Sequence, residues 1–170
     1  FAELTAAEAV ARLFASDLPE PPLPVYPPTR IDWINNDPRD EDFDPTNNLL
    51  QWNIGQLLGT GIEEDKKPGF IFRERLVLYL HTHFTTKKSV VNNGKSLYYQ
   101  LALFRLFAFD EQDFEVPNED PLLPPDSVPK NFKELTKKIS VDNAMLKFLD
   151  GRLNLKGSPN ENYARELLEL

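Results

Sequence analysis

Two imidazoles and a group of carboxylates are the side chains of this sequence best suited to chemistry. His81 and His83 are the only histidines and stand in the run His81-Thr82-His83-Phe84. Imidazole ligates metals and moves protons near neutral pH. Glu161 and Glu166 lie in a strongly helical run from Glu161 to Leu170. There, i, i+4 and i+7 spacing puts Asn162, Glu166 and Glu169 on one face and pairs Glu161 with Arg165. A carboxylate brought to a histidine could hold a divalent metal or relay a proton. His81, His83, Glu161 and Glu166 are therefore the candidate catalytic residues. His81 and His83 are the candidate metal ligands, and a divalent metal is the candidate cofactor. Helix geometry limits this idea, because residues two apart point about 200° apart. The two imidazoles can share one ion only if the helix ends or distorts between them. Thr85, Thr86 and the lysines that follow suggest an end soon after Phe84.

The same residues also admit a structural reading. One histidine would be buried and hydrogen-bonded, the other set near a helix C-terminus, where a cation meets the helix dipole favourably. Arg73, Arg75 and Arg105 fall in apolar stretches, and buried arginines need carboxylate partners. Glu74, inside the same apolar run, is a natural partner. Asn162, Arg165 and the α-helical glutamates would extend this charge network. Spacing alone leaves catalysis and network both open.

The elements that must position these groups are mostly helices. Phe70 to Phe84 and Lys95 to Phe109 are apolar on nearly every side, the pattern of central, buried helices. Their length favours helix over strand. Thr5-Ala6-Ala7-Glu8 is a capping box that starts a short helix to about Phe14. Asn48 to Leu58 reads as a helix ended by Gly59 and Gly61, and Asn131 to Ile139 as a short amphipathic one. Asp142 caps a further helix that stops at Asp150-Gly151. Ser158, Pro159 and Glu161 together read as cap, first-turn proline and N3 acid of the last helix. Lys156-Gly157 reads as a turn.

Two segments, 17–47 and 111–130, are loop-rich. The first holds six prolines between Asp17 and Arg30, which excludes helix and predicts an extended surface path. Its acidic part, with Asp37, Asp40, Glu41, Asp42 and Asp44, reads as solvated coil, since it lacks the glycine of a calcium-binding loop. Glu111 to Lys130 is acidic and proline-rich.

Composition excludes several roles. A net charge of −8 repels phosphate backbones, so nucleic acid is not an expected partner. No apolar run approaches the roughly 20 residues of a membrane-spanning helix. The absence of cysteine removes disulfides and thiolate chemistry from these residues. Both ends look cut, with Phe1 in a helix lead-in and Leu170 inside a helical run.

Three blocks carry a resemblance. Met145-Leu146-Lys147-Phe148-Leu149-Asp150-Gly151 precedes Asn160-Glu161-Asn162-Tyr163-Ala164-Arg165-Glu166. Arg73-Glu74 precedes His81-Thr82-His83-Phe84, and Gln100 precedes Arg105 by five residues. In this order the blocks resemble the bacterial family known as domain of unknown function 1800. The stretch from Glu111 to Lys130 departs from the family as an insertion. The resemblance implies an all-α, multi-helix domain with long proline-rich loops, of which residues 1–170 would be an N-terminal to middle part. It also implies a protein exported to the periplasm, outer envelope or exterior. A sulfatase-like protein encoded nearby would be a candidate partner. The resemblance names no reaction. The expected function is that of an envelope or extracellular partner-binding protein, with a hydrolase or metal-dependent enzyme as the alternative.

Overall fold

The computed structural model describes residues 4–36, 38, 40–109 and 130–169. Asp37, both chain ends, and all of the acidic stretch 111–130 except Lys130 lie outside the described residues. Eight α-helices occur among them. These are α1 (Ala6–Leu13), α2 (Pro45–Leu57), α3 (Lys67–His83), α4 (Lys88–Val91), α5 (Gly94–Leu106), α6 (Phe132–Ile139), α7 (Asn143–Phe148) and α8 (Glu161–Glu169). A single 3₁₀ turn, Gly151–Leu153, follows α7. The only extended pairings among the described residues are two isolated bridges, Val25 with Asp32 and Leu155 with Ser158. The fold is all-α.

The starts of these helices follow from side chains that satisfy orphan amides. Thr5 accepts from the Glu8 amide while Glu8 takes the Thr5 amide at 2.8 Å, closing the box that opens α1. Asp44 accepts from the amides of Thr46 and Asn47 and begins α2, with Pro45 in the first turn. One acid of the expected coil is thus a helix cap, worth about 0.5–2 kcal/mol. Asn93, Asn131 and Asp142 cap α5, α6 and α7 in the same way. Asn92, in the left-handed region at φ 41°, separates α4 from α5.

The helices α3 and α5 pack on each other at the centre. α1 lies on α3, α2 on both, and α4, α6 and α7 on α5. The core between them contains Trp33, Leu49, Val77, Phe84, Phe104, Leu135, Ile139 and Met145. Phe84 and Phe104 stack with centroids 6.3 Å apart. Near the start of α3, Phe14, Phe72 and Phe109 form a second aromatic group. There a Cβ on Gly69 would lie 2.5 Å from the Arg12 carbonyl, so α1 and α3 can meet only over a glycine.

Two expectations need correction. First, α3 is not covered on every side. Arg75, Leu78, Tyr79 and Thr82 follow i, i+3, i+4, i+7 spacing and all four are exposed. An apolar composition hid a real two-sidedness, because Leu78 and Tyr79 give the outer face an apolar look. Second, Ser158 does not cap α8. Ser158 pairs with Leu155 around a turn at Gly157, whose φ is 89°. Asn160 caps instead, accepting from the Tyr163 amide at 3.2 Å.

The proline-rich segment runs extended, but it is more than a surface path. Its carbonyls accept from two helices and from the loop before α2. Pro22 accepts from the Trp52 indole at 2.8 Å, Pro19 from Arg73 at 2.7 Å, and Pro24 from the Trp33 amide at 3.3 Å. Pro24 itself is fully buried. No helix among the described residues is long and apolar enough to cross a membrane.

Candidate functional site

The residues that could do chemistry separate into a buried group on α3 and α5 and an exposed group on α8. Glu74 and Arg105 face each other across the central helix pair. Arg105 donates from Nε and Nη2 to the two carboxylate oxygens, each at 2.7 Å. Both side chains are almost wholly buried, at 1% and 5% exposure. A bidentate fork of this kind is among the strongest side-chain pairings. Arg73 approaches the same carboxylate from the other side, its Nε 3.5 Å away. Its remaining donors go to Glu20 at 3.1 Å and to the Pro19 carbonyl. Arg73 also lies 5.3 Å over the Phe70 ring, and Arg105 5.7 Å over that of Trp52. One buried carboxylate therefore lies near two buried guanidiniums. It is forked by Arg105 and faced at 3.5 Å by the Arg73 Nε, which is buried without a hydrogen bond, while the strap at Pro19–Glu20 accepts from the other two Arg73 nitrogens. Arg75, expected with them, points outward, because one residue beyond Glu74 is about 100° around the helix.

Gln100 joins a third set of elements. Its side-chain oxygen accepts from Thr86 at 2.6 Å and its amide donates to Asp142 at 3.0 Å. Asp142 in turn caps α7 through the Met145 amide. Burial raises the Asp142 carboxyl above its ordinary range, against the pull of the amides and of Gln100. So Gln100, at 1% exposure, ties the turn after α3 to the start of α7.

The structure does not bring His81 and His83 together. The helix is regular through His83, so the two rings leave it on different sides. His81 is half-buried with its ring 6.1 Å from Phe104. Burial lowers its pKa, so the imidazole is neutral at pH 7. His83 is exposed and lies against Phe84 and Phe132. Neither imidazole makes a hydrogen bond among the described residues. The buried, hydrogen-bonded histidine of the structural reading is thus corrected to one that is half-buried and lacks a hydrogen bond.

α8 carries the other candidates. Arg165 bonds Asn162 at 3.0 Å and Glu166 at 2.7 Å, and approaches Glu169 at 3.8 Å. Glu161 is exposed. No ion pair or hydrogen bond joins α8 to the histidines or to the buried arginines among the described residues. No group of three or more histidine, aspartate and glutamate side chains suited to a metal ion is found there either.

The rest of the last block holds the chain's shape. Asp150 adopts φ 56°, in the left-handed region. A Cβ on Gly151 would sit 2.6 Å from the Tyr163 ring, so only glycine lets that ring close on the turn. The Tyr163 hydroxyl donates to the Ser140 carbonyl, and Asn160 donates to the Asp150 carbonyl at 2.9 Å. Spacing alone did not show that Gly151, Asn160 and Tyr163 form one joint. The signal available was an Asp-Gly turn followed by an aromatic residue.

A cavity of about 130 Å³ lies between α2, α3 and α5. Stripes at i, i+3, i+4, i+7 spacing line it from two helices: Thr46, Leu49, Leu50 and Asn53 of α2, and Glu74, Val77, Leu78 and His81 of α3. Leu97 and Leu101 of α5 close one wall, and Thr86 and Lys88 the end nearest α4. Sequence reasoning marked His81 and Glu74 but not the aliphatic cavity that both face.

These features define an all-α protein whose charged motif residues are in part internal struts. The chain belongs to the family of proteins of unknown function DUF1800, whose model matches residues 2–170. No curated protein and no solved structure matches the chain.

Proposed function

We propose that this chain works by binding a partner in the cell envelope or outside the cell, rather than by catalysis. The observation that carries this reading is how its polar motif side chains are used. Glu74, Arg105 and Gln100 are buried, and their charged or amide ends are bonded internally. Both oxygens of the Glu74 carboxylate are already committed to Arg105, so it is poorly placed to ligate a metal. The charges of α8 are exposed instead and available for contact: Glu161, Arg165 and Glu169, with Glu166 half-buried. The export tendency and the neighbouring sulfatase-like protein that the family resemblance implies make that protein the first partner to test.

The test is calorimetric titration of the intact protein with the sulfatase-like protein encoded beside it. A stoichiometric complex is expected, weakened by the charge reversal Arg165→Glu in a variant with an unchanged helical spectrum. Absence of heat and of co-elution would count against this reading.

One observation favours a second reading. Neutral His81 faces the same cavity as Glu74. With a metal or a substrate hydroxyl it could act as ligand or base. Elemental analysis of the intact protein beside its His81→Ala, His83→Ala variant decides this. Stoichiometric metal lost in the folded variant would support it. Equal metal in both would remove the histidines from any metal site.

A further inference from the structure

The cavity between α2, α3 and α5 has walls and one end of different chemistry. Its walls are aliphatic, chiefly Leu49, Val77, Leu97 and Leu101. Its volume of about 130 Å³ is of the order that holds a guest of roughly six carbons. At one end sits the His81 imidazole, neutral and without a hydrogen bond among the described residues. Such a ring offers one donor and one acceptor. Glu74 stands two helical turns, about 10.5 Å, further along α3.

The charges that border this space are already engaged. Both Glu74 oxygens are taken by Arg105, while Lys88 is exposed at the rim, in water, and donates to the neutral Asn47 amide. A charged head group lodged beside His81 would shed hydration without meeting a buried, uncommitted counter-charge, since Lys88 stays in water at the rim. A wholly apolar guest would bury the imidazole with its hydrogen-bonding capacity unused. A hydroxyl matches that ring, since it too both donates and accepts.

We propose that this cavity is a binding site for a small, neutral, aliphatic alcohol, with its alkyl part among the leucines and its hydroxyl on His81. This site does not depend on the partner-binding reading above. The mouth is bordered by Leu50 and Leu78, at 52% and 43% exposure, so a longer aliphatic chain could extend past them into solvent.

Hexan-1-ol is the probe, titrated into the intact protein while the imidazole signals are followed by NMR. A His83→Gln variant identifies which signal belongs to His81. Saturable movement of the His81 signal alone is expected. Hexanoate and hexylammonium should bind at least tenfold more weakly. Leu50→Trp should block the mouth without entering the core, and weaken hexanol tenfold or more with the fold unchanged. A His81 signal that hexanol leaves unmoved would overturn the proposal. So would equal binding of hexanoate, or undiminished hexanol binding by a folded Leu50→Trp protein.

Discussion

The α3–α5 pair and α8 carry similar residues and use them in opposite ways. Each has arginine and glutamate within a turn of each other. In the pair, Arg105 and Glu74 are brought together from different helices and shielded from water. On α8, Arg165 meets Glu166 on the same helix, at 57% and 36% exposure. Removing one member of a buried pair strands a charge in a poorly polarisable medium, whereas a surface pair loses little that water does not replace. The same residue types therefore fix architecture in one place and present a surface in the other. A charged motif says little about function until its burial is known.

The comparison is broken most severely by removing one strut. Arg105→Ala leaves Glu74 buried without its fork and should cost about 3–5 kcal/mol in urea unfolding, enough to unfold a marginal domain. Loss below about 1 kcal/mol would mean that water reaches Glu74 freely. Gly151→Ala, at the joint between α7 and α8, should cost about 1–3 kcal/mol, because its methyl meets the Tyr163 ring. Gln100→Leu leaves the Thr86 hydroxyl without a partner and takes one from Asp142, which keeps the Met145 amide, at about 1–3 kcal/mol. At the other extreme, Glu166→Gln on α8 should change stability by less than about 0.5 kcal/mol while altering partner affinity.

Titration sharpens the same contrast. The folded-state pKa of His81 is lowered by burial, so the unfolded chain takes up its proton first. Its contribution is intact above the ordinary imidazole value and is lost as pH falls through that value to the lower folded one. Asp142 runs the other way, because its folded pKa is raised. As pH falls through that raised value the folded state takes up a proton first, and the burial penalty is relieved. NMR titration of His81 and Asp142 checks both signs.

Much of the helical layout was legible because capping is local. The Thr5–Glu8 box and the Asp142 cap are chemistry of four consecutive residues, and both formed as expected. That Glu74 would serve an arginine was also legible, since a carboxylate inside an apolar run must find one. Which arginine it would serve was not, because Arg73, Arg75 and Arg105 differ only in the tertiary direction of their side chains. The α8 cap was misread because Ser158 and Asn160 both suit that role. The tight turn at Gly157 engages Ser158 with Leu155 and so leaves the cap to Asn160. The strap was illegible in its main use. Proline excludes helix, but nothing local says that the Pro19 and Pro22 carbonyls will accept from Arg73 and Trp52.

The most direct test of the strut assignment is a double-mutant cycle on Glu74 and Arg105 by urea unfolding. Glu74→Leu and Arg105→Met alone should each be strongly destabilising. Together they should recover most of the loss, because neither charge of the pair is left stranded and Arg73 keeps its ion pair with Glu20. A double variant whose loss equals the sum of the two single losses would contradict the assignment of this pair as an internal strut.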